Sequence, residues 1–185
     1  MKTRIVVTAA SLGVIVLSAS LMALNAHGAV TPAPVSAPSS SGPACASYCT
    51  AGVSTNGCQA AMSCAGTPSA AATSGFVLTT SGIEGQKNAL MRFSISGQIA
   101  VPWAASGSSF LCIKAPHQKM GPVQNSGGTS GACDGSIQVD FLAWTSTHLW
   151  PIAMGDQFFV QTFYKDPPAP KSISLSDAIE FTIVP

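Results

Sequence analysis

Beyond residue 75 the chain is a series of short runs in which large apolar residues alternate with polar ones, the period of a strand with one buried face. In residues 89–96, Met91, Phe93 and Ile95 alternate with Leu90, Arg92 and Ser94. Ile137, Val139 and Phe141 alternate with Gln138 and Asp140, and Ile179, Phe181 and Ile183 alternate with Glu180 and Thr182. Residues 76–80 and 110–113 are shorter runs of the same kind. The run QFFVQTFY at 157–164 is apolar on both sides, which predicts a central strand. Residues 82–88, 97–109 and 166–170 are predicted as turns or loops, 143–148 as a short helix or crossover turn before Pro151, and 174–177 as a helical turn. Short strands separated by Gly/Pro/Ser loops, with no long helix after the N-terminal apolar run, predict an all-β protein: a single antiparallel β-sandwich.

The longest interruption lies between the runs at 110–113 and 137–141, and Cys112 and Cys133 stand at its two bases. Alternation without a bulge puts both on the core side, so a Cys112–Cys133 disulfide is expected to clamp a long Gly/Ser/Pro/Asn loop, contributing about 3 kcal/mol. Four more cysteines crowd CASYCTAGVSTNGCQAAMSC: Cys45, Cys49, Cys58 and Cys64. Structural zinc knuckles need closely spaced Cys pairs at both ends, and here only the first pair qualifies, with no His nearby. Disulfides are expected instead, and no metal or other cofactor. Asn56-Gly57 is a tight-turn signal. A hairpin turning there favours a nested pairing, Cys49–Cys58 inside Cys45–Cys64, with two other pairings open.

At the N-terminus Lys2 and Arg4 precede an apolar run, residues 5–24, followed by Ala26-His27-Gly28. This is the pattern of a secretory signal peptide, residues 1–28, cut before Ala29. The alternative is an uncleaved membrane anchor, since the run is about as long as a bilayer-spanning helix; the small residues within it favour cleavage, leaving no stable membrane insertion. Residues 29–44 read as a Pro/Ala/Ser-rich linker, residues 45–66 as a Cys-rich hairpin, and residues 67–185 as the β-sandwich domain. Without Lys2 and Arg4, six basic residues face seven acidic ones. A nearly neutral surface argues against nucleic acid or an anionic membrane as partner. Disulfides and a surface of Ser, Thr, Gly, Gln and Asn suit a secreted protein.

Catalytic chemistry has thin support. The chain has no G-x-S-x-G, H-E-x-x-H or P-loop. His117 with Asp134 or Asp140 can be drawn as a polar pair for a secreted hydrolase, against the plainer reading of solvated loop side chains. Glu84, Asp134, Asp156 and Asp166 all occupy turn-like positions, where turn chemistry explains them. Binding is the better candidate. Trp103, Trp144 and Trp150 lie in or beside loops, where exposed indole faces could stack on sugar rings with Gln124 and Asn125 supplying hydrogen bonds. The competing role for each Trp is a packing anchor.

The segments SYCTAGVSTNGCQAAMSCAGTPSAAATSGFVL, GIEGQKNALMRFSISG, GPVQNSGGTSGACDGSIQVDF and FYKDPP…LSDAIEFTIVP occur here in this order. In this the chain resembles an uncharacterised family of exported bacterial proteins, over residues 49–185. Members of that family often carry this unit at the C-terminal end of a larger extracellular protein. The resemblance implies an extracellular β module and hands over no catalytic residues. It also implies cysteine pairs matching Cys49 with Cys58 and Cys112 with Cys133, with Cys45 and Cys64 as additions, which supports the nested pairing. The expected function is a non-catalytic extracellular module with a structural or adhesive role at the cell envelope, its partner an envelope protein or a polysaccharide. Carbohydrate recognition through the loop Trp residues is the alternative.

Overall fold

The computed structural model describes residues 44–185. The expected signal peptide, and the linker apart from Ala44, lie outside the described residues. Ten strands follow in order: β1 Ala46–Tyr48, β2 Ala61–Ala65, β3 Val77–Ile83, β4 Asn88–Ser94, β5 Gln98–Pro102, β6 Phe110–Ile113, β7 Gln118–Asn125, β8 Gly135–Asp140, β9 Gln157–Lys165 and β10 Ile173–Thr182. One helix, α1 Phe141–Thr147, separates β8 from β9. The fold is all-β, as the alternation predicts. A five-stranded antiparallel sheet in the order β1-β10-β9-β4-β7 is its centre, flanked by a three-stranded sheet, β2-β3-β8, and by a β5-β6 hairpin. β9 is central, because its apolar residues are covered on both faces.

Two packed layers result. Met91, Phe93, Phe158, Val160 and Tyr164 meet Leu78, Ile137, Phe141 and Leu142 in the main core between the two larger sheets. Fully burying each such side chain contributes about 1.5–3 kcal/mol. The other face of the five-stranded sheet carries Phe159, Gln161 and Phe163, and the β5-β6 hairpin lies across it. Gln161, fully buried, holds that hairpin in place. Its Oε1 accepts from the Cys112 N–H at 3.0 Å, and its Nε2 donates to the Phe110 and Ser176 carbonyls, each at 2.9 Å.

Helix α1 follows from local chemistry. Asp140 is its N-cap, accepting from Ala143 N–H, and Phe141, Leu142 and Thr145 form the buried face. It ends in a Schellman turn, with Trp150 N–H donating to Thr145 O and Leu149 N–H to Ser146 O. Leu149 therefore takes the left-handed position, φ 52°, usually given to glycine.

The structure corrects four expectations. The predicted loop at 97–109 begins with a strand, β5, because the chain pairs back on β6 in a hairpin. The predicted loop between Cys112 and Cys133 contains a strand, β7. Gly121 and Pro122 are tolerated there because β7 is an edge strand with a bulge opposite Ala89–Met91, so the missing N–H of proline breaks no ladder bond. The predicted helical turn at 174–177 is part of β10, with a bulge between Leu175 and Ala178. The bulge points Asp177 at β2: its N–H donates to Ala60 O and its Oδ1 accepts from Met62 N–H at 2.7 Å, tying the two larger sheets together. Residues 45–66 are not a separate hairpin either, since β1 extends the five-stranded sheet and β2 the three-stranded one. Their Asn56-Gly57 turn does form, with Ser54 N–H donating to Cys58 O and Gly57 at φ 82°.

The disulfides change with the topology. Cys45–Cys64 is present as expected, but the other two are Cys49–Cys112 and Cys58–Cys133, in place of Cys49–Cys58 and Cys112–Cys133. Strand β7 is the reason, because it carries the chain from the hairpin layer back through the five-stranded sheet before β8 begins. Cys112 and Cys133 therefore end in different layers. β2 and β8 both run antiparallel to β3, so the segments leading into them sit at one end of that sheet, where Cys58 meets Cys133 with a Cα separation of 5.3 Å. Cys49 fastens the end of β1 to the hairpin, beside the Tyr48 hydroxyl that donates to Cys112 O at 3.1 Å. Three disulfides point to an oxidising compartment. Among the described residues no helix is long and apolar enough to cross a membrane.

Two outcomes follow. Peptide mapping without reduction should recover Cys45–Cys64, Cys49–Cys112 and Cys58–Cys133 linked fragments; a linked Cys49–Cys58 fragment would refute the layered topology. Gln161→Leu should destabilise the fold by on the order of 3 kcal/mol in urea unfolding, because it leaves three backbone groups under the hairpin unpaired.

Candidate functional site

The residues singled out for ligand binding do not converge. Trp144 on α1 and Trp150 just beyond it pack side by side against Phe93, with ring centroids 5.2 and 5.1 Å from it and 6.2 Å from each other, on the main-core face of β4. Trp144 is also stacked on His148 at 5.0 Å. Trp103 is on the other side of the five-stranded sheet, edge-on to Phe163 at 5.7 Å. The three indoles therefore cannot form one platform, and Trp144 and Trp150 are half-buried packing anchors. Gln124 and Asn125 are also engaged locally. Gln124 Nε2 donates to Gln138 O, closing the side of the sandwich between β7 and β8, and Asn125 Oδ1 accepts from Gly127 N–H in the following turn.

The acids behave likewise. Asp134 accepts from Thr129 N–H at 2.8 Å, Asp156 from Ala153 N–H at 2.7 Å, and Asp140 from Gly75 and Ala143 N–H. Buried Glu84 accepts from Asn56 Nδ2 at 2.7 Å and pairs with Lys87 at 3.1 Å. Asp166, also buried, takes Thr55 N–H and Ser174 Oγ on one oxygen, at 2.9 and 2.8 Å. Burial, with Asp166 and Glu84 nearby, pushes the Tyr164 hydroxyl up to about 12. Asp177 is raised by burial, an effect its bonds to Ser47 and Met62 partly offset. Carboxylates in these positions fasten loops and sheet ends.

What the fold does assemble is a surface around Phe163 on the hairpin side of the sheet. Arg92, from β4, lies with its Cζ 5.2 Å from the Phe163 ring centre, a cation–π contact. Arg92 Nη1 donates to His117 Nδ1 at 3.1 Å, and the His117 ring is 6.0 Å from Phe163. A guanidinium can only donate, so His117 carries its proton on Nε2. Desolvation, then the Arg92 charge, lower the His117 pKa from its ordinary value. On the far side of Phe163, Lys171 places its Nζ 4.2 Å from the Trp103 ring centre and donates to Trp103 O at 2.7 Å. Lys171 reaches Trp103 from a left-handed backbone position, φ 58°.

A cleft of about 320 Å³ opens beside Trp103, walled by Thr55, Ser106, Ser108, Pro168 and Ile173 among others. The Trp103 Nε1–H is buried and has no hydrogen-bond partner among the described residues. A buried donor without a partner is costly, and Tyr164 Oη and Asp166 Oδ1 are in the same position. Among the described residues no group of three or more His, Cys, Asp or Glu could hold a metal ion. Of this surface the sequence singles out Trp103, and His117 only as half of a hydrolase pair. Arg92 interrupts an apolar strand, and that was the available signal; Phe163 and Lys171 gave none, because only the pairing of β4 with β9 and the course of the β9–β10 loop bring them together.

The fold and its cross-links define a disulfide-stapled β-sandwich with a cationic, aromatic face. No protein-family model matches the chain, nor does any curated protein or solved structure.

The His117 environment has a measurable consequence. Unfolded His117 takes up a proton at its ordinary value and folded His117 only at a lower pH, so across that window the unfolded state binds more protons. Its contribution to stability should be complete above the ordinary histidine range and be lost as pH falls through it. Thermal melts between pH 7.5 and 5 should show this slope, and His117→Gln should flatten it.

Proposed function

We propose that the protein is an exported, non-catalytic extracellular module with a structural or adhesive role at the cell envelope. The disulfide network is the observation that carries this reading. Its bridges tie the five-stranded sheet to the three-stranded sheet and to the hairpin layer, a construction suited to persistence in an oxidising space without chaperones. The signal-peptide pattern at residues 1–28 supports export, and the resemblance to exported bacterial proteins agrees with it. A hydrolase built on His117 and Asp134 draws no support from the geometry, since His117 bonds to Arg92 and Asp134 to Thr129. Carbohydrate recognition is the second reading, and Trp103, which lines a cleft, supports it better than the Trp144–Trp150 pair packed on Phe93.

The test is retention of the oxidised full-length protein on whole cell envelopes. Saturable retention that is lost when the disulfides are reduced and the fold melts supports the module. A well-folded sample, without free thiols, that fails to bind envelopes would overturn it.

A further inference from the structure

Beyond Arg4 the basic residues are Lys87, Arg92, Lys114, Lys119, Lys165 and Lys171. Lys87 has Glu84 as its ionic partner, and among the described residues no carboxylate lies within ion-pair distance of the others. Residues 1–83 contain no acid at all. Several of these cations share one face. Arg92 and Lys119 are directly cross-strand in the β4–β7 ladder, so both project to the same side. Lys165 alternates onto that side with Phe163, and Lys171 is reached through Trp103. Like charges directly opposite one another on a ladder cost stability. Here the pair stands without a counter-charge within ion-pair distance; Glu180, on the same side of the sheet in β10, accepts instead from Gln98 and Gln157.

We propose that this face binds an acidic polysaccharide, its uronate carboxylates held by Arg92, Lys119 and Lys171 and its sugar rings and hydroxyls received at the Trp103 cleft. The chemistry matches part by part. The guanidinium plane of Arg92, steadied on Phe163, presents its donors in the fork that suits carboxylates. Ser106, Ser108 and Thr55 line the cleft with hydroxyls, and Trp103 forms part of the same wall. The cationic patch is small and set among aromatic rings on a chain of nearly balanced charge. That suits a ligand offering both carboxylates and pyranose faces better than a nucleic acid, whose grip needs a wide basic field.

This inference rests on the non-catalytic binding reading and names its ligand. The probe is polygalacturonate, compared with the same polymer fully methyl-esterified, measured by calorimetry with the oxidised full-length protein at low and high salt. The expected result is binding to the carboxylate form that weakens with salt, with at least tenfold weaker binding to the ester. Arg92→Gln and Lys171→Gln should each lower affinity by about five- to tenfold while leaving the melting temperature nearly unchanged, as partly exposed charges of this kind allow. Equal binding to both polymers, no binding to either, or equal affinity for anionic phospholipid vesicles would overturn the proposal. If both variants also bind whole envelopes as the parent does, the ligand assignment fails while the adhesive module stands; loss of envelope binding by the parent sinks both.

Discussion

One buried amide couples the layers of this molecule. Gln161 sits at the centre of the central strand, on the face opposite the main core, and bonds both to the hairpin strand β6 and to the bulged part of β10. It does with a side chain what a neighbouring strand does with its backbone: it gives β6 partners although β6 lies across the sheet and not beside it. Everything on that face depends on the docking. Cys112 comes within reach of Cys49, Tyr48 can cap the Cys112 carbonyl, and the segment following β5 delivers Trp103 to Phe163. A polar group fully withdrawn from water is tolerable here because three of the amide's four hydrogen bonds are made.

Around that coupling, cross-links and carboxylates divide the work of closing the structure. The cysteine bridges join segments distant in sequence: Cys58–Cys133 spans 75 residues, and constraining an unfolded loop of that length stabilises by on the order of 4 kcal/mol. The acids fasten turns, the helix start and one sheet-to-sheet junction. Asp140 starts the helix, Asp156 and Asp134 set turns, and Asp177 joins β10 to β2. With so few charges in the chain, committing most of the acids to acceptor roles in turns and sheet junctions leaves the cations to dominate the exposed face around Phe163, and that asymmetry gives the face its character.

The same economy explains the fate of the aromatic residues. A tryptophan beside a loop can serve a ligand or a core, and sequence position does not separate the two. Trp144 is drawn inward by the helix that Asp140 nucleates, and Trp150 by the Schellman turn that ends it, so both finish against Phe93. Trp103 ends on the opposite face, where a cation and a cleft adjoin it.

The sequence by itself determined the class of fold, the central place of β9 and the oxidising setting. These follow from local information: alternation along β4, β8 and β10, apolar residues on both faces of QFFVQTFY, and six cysteines without a metal-site spacing. Only the tertiary structure decided which cysteines pair and where the cations gather. A proline-bearing segment that reads as loop becomes the edge strand β7, because an edge asks for no N–H at that point. With β7 in place, the partners of Cys112 and Cys133 are chosen by layers instead of by nearness in sequence. Arg92, Phe163, Trp103 and Lys171 are likewise separated along the chain and meet only through the β4–β9 register and the crossing of the hairpin. Registers and layer crossings are settled by non-local packing, which no stretch of residues read alone contains.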